Sequence, residues 1–212
     1  MRNTENVSFY SYCLDDTLYR TCRARLSVLS TQERTILGHF SDFSAYRNFL
    51  CGRVLVRHLI GHYLNISPES LELELTKHGK PFLREKAKLH FNISHTHQEI
   101  CFALADKPVG IDLEPHNNQS IEFLYNALTP EEKRTIHSYA AVEKERYLIK
   151  IWTAKEAIAK CSGTGITKEV LSMNLSAYIF TDTAKVEHFT LFQVTPISEK
   201  HICTIAVVRE EL

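Results

Sequence analysis

Two acidic residues stand two positions apart in an apolar run of the sequence, Val109-Gly110-Ile111-Asp112-Leu113-Glu114-Pro115. The β-branched residues of this run favour a strand, in which alternate side chains point to the same face. Asp112 and Glu114 would therefore lie side by side. Because a buried charge needs a partner, and because oxygen ligands suit a hard divalent cation, the pair predicts a Mg²⁺ site. The alternative is a solvated edge strand with two exposed acids.

A second segment, Trp152 to Lys160, has the composition of a helix. Trp152, Glu156 and Lys160 recur at every fourth position and so share one helix face. A third carboxylate with lysines beside two metal-binding acids suits Mg²⁺-assisted phosphate chemistry. Glu156 would be a metal ligand or general base, and Lys155 and Lys160 would bind phosphate oxygens. The alternatives are an ion pair between Glu156 and Lys160 and lysines that only face solvent.

Further polar groups lie at the end of a predicted strand and in a turn. Ser94 and His95, in the segment Phe91 to Thr96, could hold a diphosphate, and Lys80 could meet an anion from its turn. The Gly-x-Ser-x-Gly elbow of hydrolases is absent, and the turn around Lys80 lacks the residues of a Walker A loop. These residues therefore indicate anion binding without identifying a known loop.

The spacing of apolar residues predicts the elements around these groups. The segment from Phe43 to Tyr63 is the clearest helix, and its Arg47 and Arg53 could each meet an anion. Another long helix is predicted over 142–161, and a shorter one begins after Thr129 as N-cap, with proline at its first position. Strands are predicted over 7–14, 71–76, 88–94, 100–105, 109–115, 175–180, 189–194 and 202–208.

A helix followed by strands occurs twice in this order of elements. It predicts an α+β fold, a pseudo-twofold pair of similar α/β halves, each a small antiparallel sheet with a packed long helix. We expect residues 1–106 to form the N-terminal half and residues 107–212 the C-terminal half of one compact unit. The acids would then lie at the seam between the halves, a usual place for a ligand site.

Composition argues against several classes of protein. The 212 residues include 25 Lys and Arg against 25 Asp and Glu, a balance that argues against nucleic-acid binding. Six scattered cysteines without a Cys-x-x-Cys pair predict buried thiols in a reducing compartment. There is neither a recognisable secretory signal nor an apolar run long enough to span a bilayer, so we expect a cytoplasmic protein without membrane contact.

Together these segments resemble the phosphopantetheinyl transferases of the surfactin-synthetase-activating type. The resemblance covers residues 47–160 and depends on short blocks in the right order. The blocks are Arg47-Asn48-Phe49-Leu50-Cys51-Gly52-Arg53-Val54-Leu55-Val56-Arg57, Gly79-Lys80-Pro81-Phe82, Phe91-Asn92-Ile93-Ser94-His95-Thr96, Val109-Gly110-Ile111-Asp112-Leu113-Glu114 and Trp152-Thr153-Ala154-Lys155-Glu156-Ala157-Ile158-Ala159-Lys160.

The resemblance implies a monomer with coenzyme A in the cleft between the halves and its nucleotide on the N-terminal side. It implies Mg²⁺, for which Mn²⁺ could substitute, held by Asp112, Glu114 and Glu156 together with the coenzyme A diphosphate. Lys160 matches the family lysine on the diphosphate, and Lys155 is the second lysine of that block.

The resemblance also implies contacts to the rest of coenzyme A. Ser94 and His95 match the pair that contacts phosphate, and Lys80 matches the lysine on the nucleotide side. An arginine of the early helix meets the 3′-phosphate in the family. Arg47 is one residue away from the commonest family position, which Asn48 takes, and Arg53 is the other candidate.

The implied reaction moves 4′-phosphopantetheine from coenzyme A to a serine of an apo acyl or peptidyl carrier protein and releases 3′,5′-ADP. We expect Glu156 to take the serine proton, directly or through water, and Lys160 to stabilise the leaving phosphate. An acidic carrier would dock on Phe123, Leu124 and Tyr125 with Arg146. Fatty-acid, polyketide and peptide-synthetase carriers all remain open.

Two other functions would use much the same residues. One is a Mg²⁺-dependent phosphohydrolase that cleaves a nucleotide diphosphate without a protein acceptor. The other is an inactive module that binds coenzyme A or a carrier protein. The intact set of three acids argues against the inactive module.

Overall fold

A computed structural model describes residues 7–77, 79–84, 89–116 and 121–209. Its elements in chain order are β1 (Val7–Cys13), α1 (Asp16–Arg23), α2 (Thr31–Leu37), α3 (Phe43–Leu64), β2 (Leu73–Leu75), β3 (Pro81–Leu83), β4 (His90–His95), β5 (Glu99–Ala105), β6 (Val109–Pro115), α4 (Ile121–Asn126), α5 (Pro130–His137), α6 (Ala141–Ser162), α7 (Lys168–Ser172), β7 (Thr183–Val186), β8 (Phe189–Val194) and β9 (His201–Val208), with 3-10 helices at Leu26–Val28, Pro68–Ser70 and Ser176–Phe180.

Two antiparallel sheets form the centre of the fold. The first has the strand order β1-β5-β4 and the second the order β6-β9-β8-β7, while β2 and β3 form a separate two-stranded ribbon. In the first sheet Phe102 of β5 pairs with Tyr10 on one side and Ile93 on the other. In the second, Asp112 of β6 pairs with Thr204 of β9. Each sheet carries one long helix, α3 or α6, so the predicted α+β pair of similar halves is confirmed.

Strand β5 shows how the halves share a core. All seven of its residues are buried, because one face packs under α3 and the other faces the second sheet. Ile100, Phe102 and Leu104 join the apolar cluster of α3, whereas Cys101 and Ala103 pack against residues of β6 and β9. A strand covered on both faces is apolar throughout rather than alternating.

The N-termini of several helices follow from their sequence. Asp15 caps α1 and Asp42 caps α3 by accepting a backbone amide of the first turn. Thr129 caps α5 in a capping box with Glu132, and Pro130 takes the first helical position, as predicted. Helices α1, α4 and α7 were not expected from the sequence, since each is too short for a clear helical repeat of apolar residues.

Both predicted long helices are confirmed, with ends within two residues of the expected ones. The strand predicted over 175–180 is wrong, because Ser176–Phe180 is a 3-10 helix and the edge strand is Thr183–Val186. The side chain of Asn174 accepts the amide of Ser176 over 3.1 Å and starts the turn. The strand predicted over 88–94 begins at His90, and Lys88 lies outside the described residues.

No helix in the described part of the chain is both long and apolar enough to cross a membrane.

Candidate active site

The two sheets meet along β4 and β6 through side chains rather than through a shared backbone ladder. Asn92 and Ser94 of β4 accept the backbone amides of Ile111 and Leu113 of β6, over 2.8 and 3.2 Å. Oxygens of one half thus satisfy backbone donors of the other. The same contacts place Ser94 beside Asp112.

Asp112 lies at the centre of the site and is 4% exposed. Its Oδ1 accepts a hydrogen bond from Lys160 Nζ over 2.6 Å and another from Ser94 Oγ over 3.2 Å. Its Oδ2 is buried and has no hydrogen-bond partner among the described residues. Buried carboxylate oxygens are normally satisfied, so Oδ2 is free to accept a ligand.

Helix α6 reaches Asp112 because it packs unusually closely on β6. A Cβ atom at Gly110 would lie 2.0 Å from the carbonyl oxygen of Ala157 and 2.4 Å from the amide nitrogen of Cys161. Only glycine fits there, since the atoms opposite are helix backbone and cannot move aside. The contact brings Glu156 and Lys160 over the face of β6 that carries the acids.

Burial and neighbouring charges shift the pKa values of Glu114, Glu156 and Lys160. Burial and then the charge of Asp112 raise the pKa of Glu114 to about 7, against a hydrogen bond from Trp152 and the charge of Lys160. Burial and Asp112 also raise the pKa of Glu156. Burial by itself would lower the pKa of Lys160, but the three carboxylates outweigh burial and raise that pKa. The cluster therefore has too little positive charge for its acids.

The donor set fits a hard divalent cation. All three acids offer oxygen, and one buried oxygen of Asp112 is unpartnered. Within the ranges that the structure describes, no three His, Cys, Asp or Glu side chains already converge as a metal cage. A cation bound by these acids would therefore need further ligands from substrate or water, as Mg²⁺ commonly does.

Two neighbouring cavities form a groove across the seam, and Ile93 and Lys160 border both. The larger, about 470 Å³, contains Asp112, Glu114, Ser94 and His95 in its wall. The smaller, about 260 Å³, is bordered by Lys80 and Glu156. Since both halves of the chain contribute, the acids lie at the seam.

His95 ends β4 and lies in the wall of the larger cavity. Its Nδ1 lies 3.1 Å from the side-chain nitrogen of Asn48 in α3. Burial and the charge of Lys160 lower the pKa of His95, so its ring is neutral near pH 7. With Nδ1 accepting from Asn48, Nε2 carries the proton and can donate one hydrogen bond to an anion.

Lys80 borders the smaller cavity but bonds to backbone. Its Nζ donates to the carbonyl oxygens of Lys160, over 2.6 Å, and Val109, over 3.0 Å. Burial lowers its pKa. Lys80 thus ties the β2–β3 ribbon to the C-terminal end of α6, and its third donor has no hydrogen-bond partner among the described residues and can meet a ligand.

The structure separates the two candidate arginines. Arg47 Nη2 donates to the carbonyl oxygen of His97 over 2.7 Å, at the edge of the larger cavity. Arg53 does not reach the groove. It is buried 3.9 Å from Glu33 and over the ring of Phe49, and it packs against α2. The expectation that Arg53 binds coenzyme A is therefore withdrawn.

Lys155 is also placed away from the groove. It is 1% exposed, and its Nζ donates to Glu132 Oε2 and to the carbonyl oxygens of Ala127 and Leu171, each over 2.9 Å. All three donors are used within the protein. Lys155 therefore joins α6 to the chain around α5 and α7, and its expected contact with coenzyme A is corrected.

The expected docking residues do not form one surface. Leu124 is 2% exposed and belongs to the core, which excludes it from docking. Phe123 and Tyr125 are exposed, and Phe123 packs edge-on against Trp152 at 5.5 Å. Arg146 borders a different cavity, of about 340 Å³, next to β9.

Two residues at the site were not assigned a role from the sequence. Trp152 was placed on the helix face of Glu156 and Lys160 without a role, and its indole lowers the pKa of Glu114 against burial and the charge of Asp112. Asn48 was noted for taking the usual arginine position, and its contact with His95 could not be inferred from spacing. The sequence signal in each case is membership of a matching block, not a pattern of its own.

Comparison with known proteins identifies the family. The sequence profile of the 4′-phosphopantetheinyl transferase superfamily matches residues 108–206. A profile described as 4′-phosphopantetheinyl transferase, N-terminal, matches residues 18–107. The two matches adjoin and together cover most of the chain. The chain therefore belongs to the 4′-phosphopantetheinyl transferase superfamily.

Several curated relatives carry the same description. The chain is similar to the 4′-phosphopantetheinyl transferase psf-1 of Bacillus pumilus, at 31% identity over 66% of this chain and 60% of that protein. It is 28% identical to the transferase HetI of Nostoc sp. strain PCC 7120, over 85% of this chain and 78% of HetI. It is 26% identical to the transferase Sfp of Bacillus subtilis strain 168, over 76% of this chain and 72% of Sfp. The match thus spans less than two thirds of the Bacillus pumilus relative.

Proposed function

We propose that this protein transfers 4′-phosphopantetheine from coenzyme A to a serine hydroxyl of an apo acyl or peptidyl carrier protein and releases 3′,5′-ADP. The observation that carries the proposal is the group of Asp112, Glu114, Glu156 and Lys160 at a groove between two halves. Membership of a family whose named relatives are 4′-phosphopantetheinyl transferases supports it.

Coenzyme A would lie along the groove with its diphosphate near Lys160. Ser94 and the neutral ring of His95 offer hydrogen bonds to phosphate oxygens, and Lys80 offers its remaining donor. Arg47, whose buried Nε has no hydrogen-bond partner among the described residues, is the arginine we assign to the 3′-phosphate. These contacts would fix the phosphorus atom for attack.

Asp112, Glu114 and Glu156 would hold Mg²⁺, or Mn²⁺ in its place. When bound, the cation supplies positive charge at the diphosphate and neutralises the three acids. The raised pKa values of Glu114 and Glu156, due first to burial and then to the charge of Asp112, support this assignment, because a bound cation would offset both the cost of burying these charges and their repulsion.

In the chemical step the serine oxygen of the carrier attacks the phosphorus that bears the pantetheine. A new P–O bond to serine forms as the bond between that phosphorus and the bridging diphosphate oxygen breaks. Glu156 takes the serine proton, directly or through a water. Lys160 stabilises the charge that builds on the leaving 3′,5′-ADP.

Finer assignments follow from this proposal. We assign the chain to the surfactin-synthetase-activating type and place it in the cytoplasm. We also assign it as a monomer, because a single chain provides both walls of the groove. Residues 1–106 and 107–212 would be the two halves, and the junction of the two family matches supports that division. Phe123, Tyr125 and Arg146 are the remaining candidates for carrier contact.

The experiment that tests the proposal is intact-mass analysis of apo carrier proteins from fatty-acid, polyketide and peptide-synthetase systems. Each is incubated with the protein, coenzyme A and Mg²⁺. We expect at least one carrier to gain the mass of one phosphopantetheine, and EDTA to prevent the gain. Consumption of coenzyme A without any modified carrier would contradict transfer and favour the phosphohydrolase.

A further inference from the structure

We propose that Glu99 and His201 form a pin between the two halves that positions the β4–β5 turn, and with it His95, in the wall of the groove. Both would be positioning residues, since neither is placed to touch substrate. The inference rests on the proposed function only in assigning His95 to coenzyme A. The pin itself is defined by contacts among the described residues.

Glu99 begins β5 and is 1% exposed. Its carboxylate accepts hydrogen bonds from Ser11 Oγ of β1 and from the backbone amides of Ile197, over 2.6 Å, and Ser198, over 3.2 Å. A buried carboxylate persists only when its oxygens are satisfied. Here an acid of the N-terminal sheet is satisfied mainly by the loop that precedes β9, in the other half.

His201 supplies the remaining partner of Glu99. It begins β9, is 6% exposed, and its Nδ1 lies 2.8 Å from Glu99 Oε2. Its Nε2 lies 3.4 Å from Thr96 Oγ1. The pattern fits a ring that donates from Nδ1 to Glu99 and accepts from Thr96 at Nε2. One imidazole thus joins β9 to the beginning of β5 and to the turn before it.

Thr96 holds the shape of that turn. Its hydroxyl oxygen accepts the amides of Gln98 and Glu99, each over 3.2 Å, and its own amide donates to the carbonyl oxygen of Glu99 over 2.8 Å. Because its oxygen is already an acceptor twice, its proton is free to point at His201. The pin therefore contacts the turn at the residue that defines its geometry.

The turn is held from the opposite side by α3. Ser44 Oγ lies 2.8 Å from His97 Nδ1, Arg47 donates to the His97 carbonyl, and Asn48 contacts His95. These three contacts come from the N-terminal half alone. The pin ties Thr96, in the turn itself, to the half that carries Asp112, Glu114 and Lys160.

Loss of the pin would change the position of one wall of the larger cavity. Its wall contains His95, Thr96 and His97 on one side and Asp112, Glu114 and Lys160 on the other. Without the pin the turn would keep its contacts to α3 but lose its attachment to β9. His95 would then be displaced from the position at which its ring donates to a phosphate oxygen, and even small misplacements weaken such contacts.

His201→Asn tests this with little disturbance, because the asparagine amide can still donate to Glu99 but cannot reach Thr96. We expect the KM for coenzyme A to rise about tenfold, the size of one well-placed charge-assisted hydrogen bond, with kcat changed less than about twofold. Glu99→Gln should also raise the KM for coenzyme A. Combined with His95→Ala, His201→Asn should add no further loss, because both act on the same contact.

Glu33→Gln is the matched control. Glu33 is a second buried carboxylate of the N-terminal half and lies away from the groove. It accepts a hydrogen bond from Arg57 Nε over 2.8 Å. The Glu33→Gln substitution should lower thermal stability without changing the KM for coenzyme A. An equal rise in KM in this variant, or full additivity of His201→Asn with His95→Ala, would show that the pin acts only through general stability.

A readout that needs no turnover separates this proposal from the proposed function. Ring NMR signals of His95 should shift in His201→Asn and Glu99→Gln and stay in place in Glu33→Gln. If the wild type modifies no carrier but the His95 signals respond, the proposed function fails and the pin stands. If the signals do not respond in either pin variant, the pin is refuted whatever the activity.

Discussion

Asp112 and Glu156 reach the groove from different elements, a strand and a helix, yet burial and the charge of Asp112 together raise the pKa of Glu156. Their pairing with Lys160 was predictable because the strand period of two and the helix repeat of about four residues each place the relevant side chains on one face. The same periods do not say which helix face meets the groove. Lys155 precedes Glu156 by one residue, about 100° around the helix, and therefore lies in the core.

The first prediction concerns the proton acceptor. Glu156→Gln should lower the rate of carrier modification by at least about 100-fold, the lower range for loss of a general base, because the amide cannot accept the serine proton. Coenzyme A should still bind within about threefold, measured by calorimetry, since the amide keeps the shape of the site.

Glu143→Gln, in the exposed first turn of the same helix, is the control and should leave both quantities unchanged. Retained turnover in Glu156→Gln would remove Glu156 from the base role.

The second prediction separates Lys155 from the site. Lys155→Met should reduce the free energy of unfolding by about 3–5 kcal/mol, because it leaves the fully buried Glu132 without its cation. Adding Glu132→Gln should recover part of that loss, since the second change removes the uncompensated charge. Chemical denaturation of the wild type and the two variants measures both effects.

Coenzyme A affinity of the folded Lys155→Met protein should equal that of the wild type. A large loss of affinity without a loss of stability would return Lys155 to the binding site.

At the scale of the secondary-structure elements, the close packing of α6 on β6 sets the geometry of the site. Periodicity predicted both elements and nearly all their residues, but it could not show that they touch at Gly110. The strand wrongly predicted over 175–180 has a related cause. Its apolar Tyr178 and Ile179 are buried beside α6, and Lys150 binds the carbonyl oxygens of Ile179 and Thr181, so tertiary contacts outweigh strand propensity.

The third prediction tests the contact of α6 with β6. Gly110→Ala should destabilise the protein by about 3 kcal/mol or more, because the added Cβ meets helix backbone at 2.0 Å. It should also lower carrier modification in the molecules that remain folded, as α6 moves Glu156 and Lys160 away from Asp112. Thermal unfolding and initial rates per folded molecule measure the two effects.

Gly52→Ala is a matched control in the other half. Its added Cβ would lie 3.3 Å from Ile100 Cδ1, the flexible end of a side chain that can shift. We expect a change smaller than about 1 kcal/mol and normal activity, because helix interiors favour alanine over glycine. Equal effects of the two substitutions would show that the Gly110 contact has no special role.

At the scale of the whole molecule, the two halves are joined by a shared apolar layer and by the hydrogen bonds of Asn92, Ser94 and Glu99. The helix-then-strands order predicted the halves and the position of the acids at their seam, and the alternation in β6 predicted that Asp112 and Glu114 share one face. The boundary at residues 106 and 107 stays a prediction. The contact of Glu99 with His201 was out of reach, because residues 102 positions apart pair through tertiary structure alone.

The fourth prediction follows from the shared layer. Neither residues 1–106 nor residues 107–212 should fold alone, because Cys101 and Ala103 of one half and Ile111 and Ile205 of the other would be exposed. We expect each fragment to lack a cooperative thermal transition, and the two expressed together to regain one. A cooperative transition in either fragment by itself would contradict the shared core.

The measurement that tests the central proposal most directly is the ratio of modified carrier to released 3′,5′-ADP in one reaction. Mass spectrometry quantifies the carrier, and chromatography quantifies the nucleotide. Transfer to a serine predicts a ratio of one and no nucleotide release when carrier is omitted. Release of 3′,5′-ADP without carrier, or in large excess over modified carrier, would contradict the account and identify water as the acceptor.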